Sequence, residues 1–226
     1  MKTRSQSAFT LIEMLVVISI IAVLAAFAVP ALTSALTKGQ MTGTLNNGRQ
    51  LYLAGQQMAL DGAANSDPSL AWPGDYTPIL TTVTAYMNRL VQNDYLKPGD
   101  VQKLLNAPGV TCGVTYDPVT NTVTLTGASG LKIYQVKDAD SSNVVFSVTN
   151  NYTYNSALVA GTSPFGDKGF IVQRRGGDAS ILRKNNATGA GAAFQGTVGK
   201  LVGDADGTAT SASDTGADGR TKLAFP

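Results

Sequence analysis

The longest apolar stretch of the chain is FTLIEMLVVISIIAVLAAFAVPAL, which covers residues 9–32. Its strongly polar side chains are those of Thr10, Glu13 and Ser19. As an α-helix, a segment of this length extends about 36 Å, at about 1.5 Å per residue. The hydrocarbon core of a bilayer is about 30 Å thick. The pattern therefore predicts one helix that crosses a membrane, and the sequence has no second stretch of comparable length.

A helical pattern continues beyond this stretch. Large apolar residues approximate one face of a helix, with polar residues elsewhere; they are Leu32, Leu36, Leu45, Tyr52 and Leu60. Four glycines, each worth about 1 kcal/mol of lost helix propensity relative to alanine, lie among them: Gly39, Gly43, Gly48 and Gly55. The helix is predicted over residues 9–60. It is either loosely packed or a stem whose glycines let neighbouring helices approach.

The middle of the chain predicts further helices. Thr77 and Pro78 suit the N-cap and first turn of an amphipathic helix that runs to about Val91. The sequence Lys97-Pro98-Gly99 ends it, and Asp100 would cap a short helix to Asn106. Trp72, in the loop before these helices, is expected to cap the domain core.

From Val110 onward the apolar period becomes two, which is typical of half-buried strands. Three hairpins are predicted, pairing residues 110–116 with 122–126, 131–136 with 144–149, and 169–173 with 180–184. An antiparallel sheet packed on the long helix is the simplest arrangement, so the expected fold class is α+β.

The segments beyond the long helix differ in composition. Residues 61–184 predict one globular α+β domain, whereas residues 185–226 are rich in Gly, Ala and Asp and predict a loop or tail. Cys112, the only cysteine, lies in a predicted strand and is expected to be buried.

Composition argues against several functions. Histidine is absent, which removes the commonest general base and the usual zinc ligand. One cysteine cannot form an intramolecular disulfide. The sequence has no phosphate-binding glycine motif and no basic stripe with interleaved aromatic residues. We therefore expect a protein that is not an enzyme and does not bind nucleic acid.

Glu13 is the only glutamate in the chain. An acidic residue deep in a membrane helix costs roughly 2.5–3.5 kcal/mol on insertion scales. Three hypotheses account for the segment around it: a secretory signal peptide, a plain membrane anchor, or a helix that spans the membrane first and later packs against copies of itself. Lys2 and Arg4 precede it, so the N-terminus should be cytoplasmic and residues from about Thr33 outside.

The sequence Ala8-Phe9-Thr10-Leu11-Ile12-Glu13 resembles the processing and methylation motif of type IV prepilins and type II secretion pseudopilins. Pro30 fits the same pattern, and the resemblance covers residues 1–36. It departs from the family at Ala8, where glycine is more usual. The resemblance implies a pilin-like fold, removal of residues 1–8 by a prepilin peptidase that cuts between Ala8 and Phe9, and N-methylation of Phe9.

Cleavage would create an α-amino group on Phe9, with a reference pKa of about 7.7–8.0. This amine lies about one helical turn from Glu13 and could also meet Glu13 of a neighbouring subunit. We hypothesise that this charge pair sets the register between subunits during assembly. Pro30 predicts a kink or local melting of the helix, although membrane helices also tolerate proline.

The resemblance also implies a location and partners. The chain would be a single-pass protein of the bacterial inner membrane, with its C-terminal domain in the periplasm. It would then join a helical filament of itself and other pilins or pseudopilins, built by an inner-membrane assembly platform.

Within this class the sequence favours a type II secretion pseudopilus, because many type IV pilins close their C-terminal region with a disulfide that this chain cannot form. The first alternative is a type IV pilus subunit that serves adhesion, motility or DNA uptake. A second, of a different class, is a binding module on a monomeric membrane anchor.

A calcium site is a further expectation. Asp204 and Asp206 lie in Asp-Ala-Asp-Gly, followed by Asp214 and Asp218. The EF-hand pattern fails because Thr215 stands where a glutamate is needed. Major pseudopilins bind calcium in a C-terminal loop, which is what the resemblance implies here; the alternative is a solvated acidic loop.

Overall fold

The computed structural model describes residues 10–204 and 213–226. The chain divides into two compact units, one ending at Gly39 and the other comprising Gln40–Pro226. The fold is α+β, with a long N-terminal helix and antiparallel sheets, which confirms the predicted class. Ala8, Phe9 and Asp206, three of the predicted site residues, lie outside the described residues.

The long helix α1 spans Leu11–Asn65, five residues beyond the predicted end. Pro30 lies inside α1 without interrupting it, so the predicted local melting does not occur. The Thr33 hydroxyl donates a hydrogen bond of 2.9 Å to the Pro30 carbonyl, whereas the carbonyl that loses its amide donor because of the proline is that of Ala26. A bend at Pro30 stays a prediction.

Two short helices follow. Helix α2 spans Val83–Gln92 and α3 spans Pro98–Leu105. The predicted start of α2 at Thr77 is wrong, because Thr82 is the N-cap and its Oγ1 accepts a hydrogen bond from the Ala85 amide at 3.2 Å. Backbone pairing with Ala224 holds the residues just before α2 outside the helix: the Ala224 amide donates to the Thr81 carbonyl at 2.7 Å.

All three predicted hairpins are present. Strands β1 (Cys112–Asp117) and β2 (Thr122–Gly127) form a separate two-stranded sheet. The other four strands form an antiparallel sheet in the order β3-β4-β5-β6; they span Leu131–Ile133, Val145–Thr149, Phe170–Arg174 and Ala179–Leu182. The expectation of half-buried strands is wrong for β3, β4 and β5, which are buried at every position.

Both faces of β4 and β5 are therefore covered, since successive side chains of a strand point to opposite faces. Helix α1 supplies part of the cover, where Tyr52 packs edge-on against Phe146 at 5.9 Å between ring centroids. Trp72 stacks on Tyr52 at 5.8 Å and is buried, as predicted, and Cys112 is buried too.

The segment after β6 contributes buried side chains to the same core. The prediction of a loop or tail over residues 185–226 is wrong for residues 191–198, which are helical. The segment contains a 3₁₀ turn (Lys184–Asn186) and a fourth α-helix, α4 (Gly191–Val198). A few large side chains anchor it in the core despite its polar composition; they are Phe194, Val198, Leu201, Val202 and Leu223.

The last residues of the chain close one edge of the four-stranded sheet. The Leu223 amide donates to the Ile133 carbonyl at 2.7 Å, and Lys222 bridges Tyr134 in antiparallel fashion. The C-terminal segment therefore acts as an extra strand beside β3.

Candidate assembly site at the start of the long helix

Thr10 and Glu13 form a reciprocal pair where α1 begins. The Thr10 amide and hydroxyl donate to Glu13 Oε2 at 2.8 and 2.7 Å, and the Glu13 amide donates back to Thr10 Oγ1 at 3.3 Å. This is the capping-box arrangement, in which a threonine N-cap and a glutamate three residues later satisfy unpaired amides at the helix start. Glu13 thus has a local structural role that the sequence reasoning missed, although Thr-x-x-Glu signals it.

The Glu13 carboxylate can accept further hydrogen bonds in this arrangement. Both hydrogen bonds that Glu13 accepts among residues 10–204 and 213–226 go to Oε2. A carboxylate has roughly four lone-pair sites on its two oxygens. Glu13 can therefore cap its own helix and still accept a cationic donor on Oε1.

The helix beside this pair is apolar all round and uncovered. Every residue from Leu11 to Leu36 is exposed, including the large side chains of Ile18, Leu24 and Phe27. Of the helices in the described part of the chain, α1 alone is long and apolar enough to cross a membrane. A helix that is hydrophobic on all sides requires burial by lipid or by other chains.

The acidic residues predicted to bind calcium do not come together as a set. Asp214 is buried and accepts from Lys132 at 3.0 Å, Lys222 at 2.8 Å and the Tyr134 hydroxyl at 2.7 Å. Burial raises the pKa of its carboxyl, but the lysines and Tyr134 outweigh burial, so the pKa falls below its ordinary value. Two ammonium groups already neutralise Asp214, so the calcium expectation for this residue is not supported.

Asp218 and Asp204 lie in a different setting. Asp218 accepts from Arg220 Nε at 2.6 Å, and Arg220 also bonds both oxygens of Asp140. Asp204 Oδ2 is buried and has no hydrogen-bond partner among the described residues. Burial, together with the nearby Asp218 charge, raises the pKa of Asp204. Within the described ranges, no three acidic or sulfur ligands gather as a metal site would require.

These features define a class: a non-globular apolar helix with a capped glutamate at its start, joined to an α+β unit. The prokaryotic N-terminal methylation motif matches residues 3–29. The fimbrial protein EcpC of Eikenella corrodens is 35% identical over 112 residues, which are 48% of this chain and 69% of that protein. The chain belongs to the type IV pilin-like family of fimbrial proteins.

Two further relatives are type IV major fimbrial proteins FimA of Dichelobacter nodosus. They are 33% and 32% identical over 67 and 69 residues, in each case 30% of this chain, and 43% and 44% of those proteins. No solved structure matches. The family consists of structural filament subunits rather than enzymes, and its N-terminal motif implies processing by a prepilin peptidase and assembly with other pilins.

Proposed function

We propose that this chain is a membrane-anchored subunit of an extracellular type IV pilus filament. The observation that carries the proposal is the uncovered apolar surface of Leu11–Leu36 beside the Thr10–Glu13 pair. Lipid would cover this surface before assembly, and the same segment of neighbouring copies would cover it afterwards. The fimbrial names of the relatives favour a pilus over the type II secretion pseudopilus that the missing disulfide suggested.

Processing would precede assembly. A prepilin peptidase would cut between Ala8 and Phe9 on the cytoplasmic side, and Phe9 would be methylated. Mass spectrometry of the N-terminal peptide from membranes tests this: we expect a peptide that begins with N-methylated Phe9. A mature chain that still begins at Met1, or one cut beyond the apolar segment, would contradict this part of the proposal.

In the filament, the Phe9 amine of one subunit would meet Glu13 of its neighbour. Pairing in a low-dielectric setting offsets the desolvation of both charges. Because Oε2 holds the cap, Oε1 would accept the amine. Glu13 would then have two roles, because it would both order the start of its own helix and fix the register between subunits.

Two variants separate these roles. Glu13→Gln keeps a side chain that can complete the capping box but removes the charge; Thr10→Val keeps the charge but removes the cap hydroxyl. We expect Glu13→Gln to lose most filaments from the sheared extracellular fraction, and Thr10→Val to retain them. Wild-type filament yield from Glu13→Gln, with equal subunit levels in the membrane, would rule out the charge pair.

The pseudopilus alternative makes a different prediction. A pseudopilus subunit would stay in the cell envelope, and its deletion would abolish secretion of type II substrates. Immunoblots of sheared and envelope fractions, read beside a secretion assay in the deletion strain, distinguish the two. If cross-linking in membranes yields no species larger than the monomer, a binding module on a lone anchor would be favoured instead.

Calcium binding stays a prediction, now narrowed to Asp204 and Asp218. The buried, unpartnered Oδ2 of Asp204 supports it, whereas the lysines around Asp214 speak against the full four-aspartate set. Titration of calcium into the purified full chain should raise its unfolding temperature, and Asp204→Asn should remove that rise. The absence of any calcium-dependent shift would end the prediction.

A further inference from the structure

A lysine and an aspartate lie in contact in the interior of the globular unit, 82 positions apart in sequence. Lys132 belongs to β3 and Asp214 to the C-terminal segment that closes the sheet edge. Lys132 Nζ is 3.0 Å from Asp214 Oδ2, and the exposed fractions of the two side chains are 9% and 7%. A buried ion pair is a weak source of stability, because desolvation offsets most of the attraction.

The surroundings of the carboxyl resemble those of an acyl group set up for attack. Oδ1 accepts from the Tyr134 hydroxyl at 2.7 Å and from the Tyr154 amide at 3.2 Å. Two preorganised donors on one oxygen stabilise the negative charge that develops there when a nucleophile adds to the carbon. Oδ2 accepts from Lys222 at 2.8 Å, so a cationic donor faces the oxygen that would leave.

The lysine is placed as the nucleophile. Burial lowers the pKa of the Lys132 ammonium, and the Asp214 charge offsets this only in part. Desolvation favours the neutral amine of Lys132 over its ammonium, and a desolvated lysine is a recognised form of activated nucleophile. The hydrogen bonds to Asp214 favour its ionised form, so the proton transfer to Asp214 that precedes attack is unfavourable. The 3.0 Å contact between Lys132 Nζ and Asp214 Oδ2 also places the nitrogen beside the carboxyl group that it would attack.

We propose that Lys132 and Asp214 condense to form an isopeptide bond between β3 and the C-terminal segment. One proton passes from Lys132 Nζ to Asp214 Oδ2, which leaves an amine and a carboxylic acid. The amine nitrogen bonds to Asp214 Cγ while Oδ1 is held by Tyr134 and the Tyr154 amide. The bond from Cγ to Oδ2 breaks, and Oδ2 departs as water with a second proton from the nitrogen. The reaction needs no oxidant and no external reagent.

The second lysine on the same carboxylate sharpens the assignment. Lys222 also lies within 3 Å of Oδ2, but 42% of its side chain is exposed. Water solvates an exposed ammonium and disfavours loss of its proton. Lys132 is therefore the residue that reacts, and Lys222 assists departure of the oxygen.

The wild-type chain decides the matter without any variant. Full-length protein, purified from membranes in detergent, is denatured, digested with trypsin and analysed by tandem mass spectrometry. Because trypsin does not cut at an acylated lysine, we expect residues 104–137 joined to residues 201–220. The joined species should weigh one water molecule less than the two peptides together.

Two variants test the assignment. Lys132→Arg keeps the charge but should abolish the joined species, whereas the matched variant Lys222→Arg should retain it. Water lost at the Asp206-Gly207 or Asp218-Gly219 sequences would lower the peptide mass equally, so only the joined species counts. Free peptides ending at Lys132 in the wild type would overturn the proposal, and linkage through Lys222 would overturn the choice of nucleophile.

Discussion

The two halves of α1 are parts of one helix and are covered in opposite ways. From Leu11 to Leu36 every residue is exposed, although most are apolar. From Met41 to Gly62 one face is buried within the globular unit, including Leu51, Tyr52 and Met58. The difference shows that the first half carries an apolar surface that its own chain leaves uncovered, whereas the second half is a core element of its own domain.

The comparison predicts its largest effect at Leu51. Leu51 is fully buried, whereas Leu53, two residues further on, is 60% exposed. Leu51→Ala should lower the free energy of unfolding by about 2–5 kcal/mol, through lost burial and the cavity left behind. Leu53→Ala, the matched control, should change it by less than about 0.5 kcal/mol. Urea unfolding followed by the fluorescence of Trp72, the only tryptophan, measures both; equal effects would contradict the difference in cover.

A glycine pair gives the next largest effect, with opposite signs. A Cβ at Gly55 would overlap the Tyr86 hydroxyl, whereas one at Gly43 would meet no atom within 4 Å. Gly55→Ala should therefore destabilise the unit by about 1–3 kcal/mol. Gly43→Ala should stabilise it by up to about 1 kcal/mol, because alanine favours the helix. The same urea titration measures both, and stabilisation by both substitutions would show that Gly55 is not a packing position.

Acid should lower the free energy of unfolding of the globular unit, because it protonates Asp218 and weakens its contact with Arg220. Burial raises the pKa of Asp218, but hydrogen bonds and charge from Arg220 outweigh it and hold the pKa below its ordinary value of 3.8. A lowered folded-state pKa contributes stability that is present above pH 3.8 and is lost as the pH falls through the folded value.

The measurement is the urea midpoint at pH 7 and at successively lower pH below 4, in the presence of a calcium chelator. Wild type should lose more stability over this acid range than Asp218→Asn, whose side chain does not ionise there. Parallel curves for the two proteins would show that the Arg220 contact contributes no pH dependence.

The smallest expected effect lies in the first half of α1. Ile18 is 62% exposed, so Ile18→Ala should change the free energy of unfolding, measured by the same urea titration, by less than about 0.5 kcal/mol. A change as large as that of Leu51→Ala would mean that the first half is covered by its own chain after all, and the comparison would fail.

Local patterns predicted much of the fold. The long helix, the three hairpins and the burial of Trp72 and Cys112 follow from apolar periodicity and turn residues. The start of α2 did not, because the Thr77-Pro78 signal was local while the backbone of Ala224 binds Thr81 from the far end of the chain. The motif around Glu13 is visible in the sequence alone, and the Thr-x-x-Glu spacing within it also indicates the capping bond between Glu13 and Thr10.

The C-terminal segment was the hardest part to predict. Its composition of small and polar residues suggests a tail, yet Phe194 and Leu201 anchor it in the core. From the sequence, Asp214 is predicted to belong to an acidic loop. In the structure one of its two lysine partners is Lys132, which lies 82 residues earlier in the chain. No pattern along the sequence reports such a contact.

The sequence by itself determined that one helix carries an apolar surface of membrane length, that Glu13 lies at its start, and that an α+β unit follows, because each depends on residues close together in the chain. The tertiary structure decided which half of that helix the protein covers itself, which edge of the sheet the C-terminus closes, and which two charges neutralise Asp214. These depend on contacts between distant segments, whose energies exist only once the chain has folded.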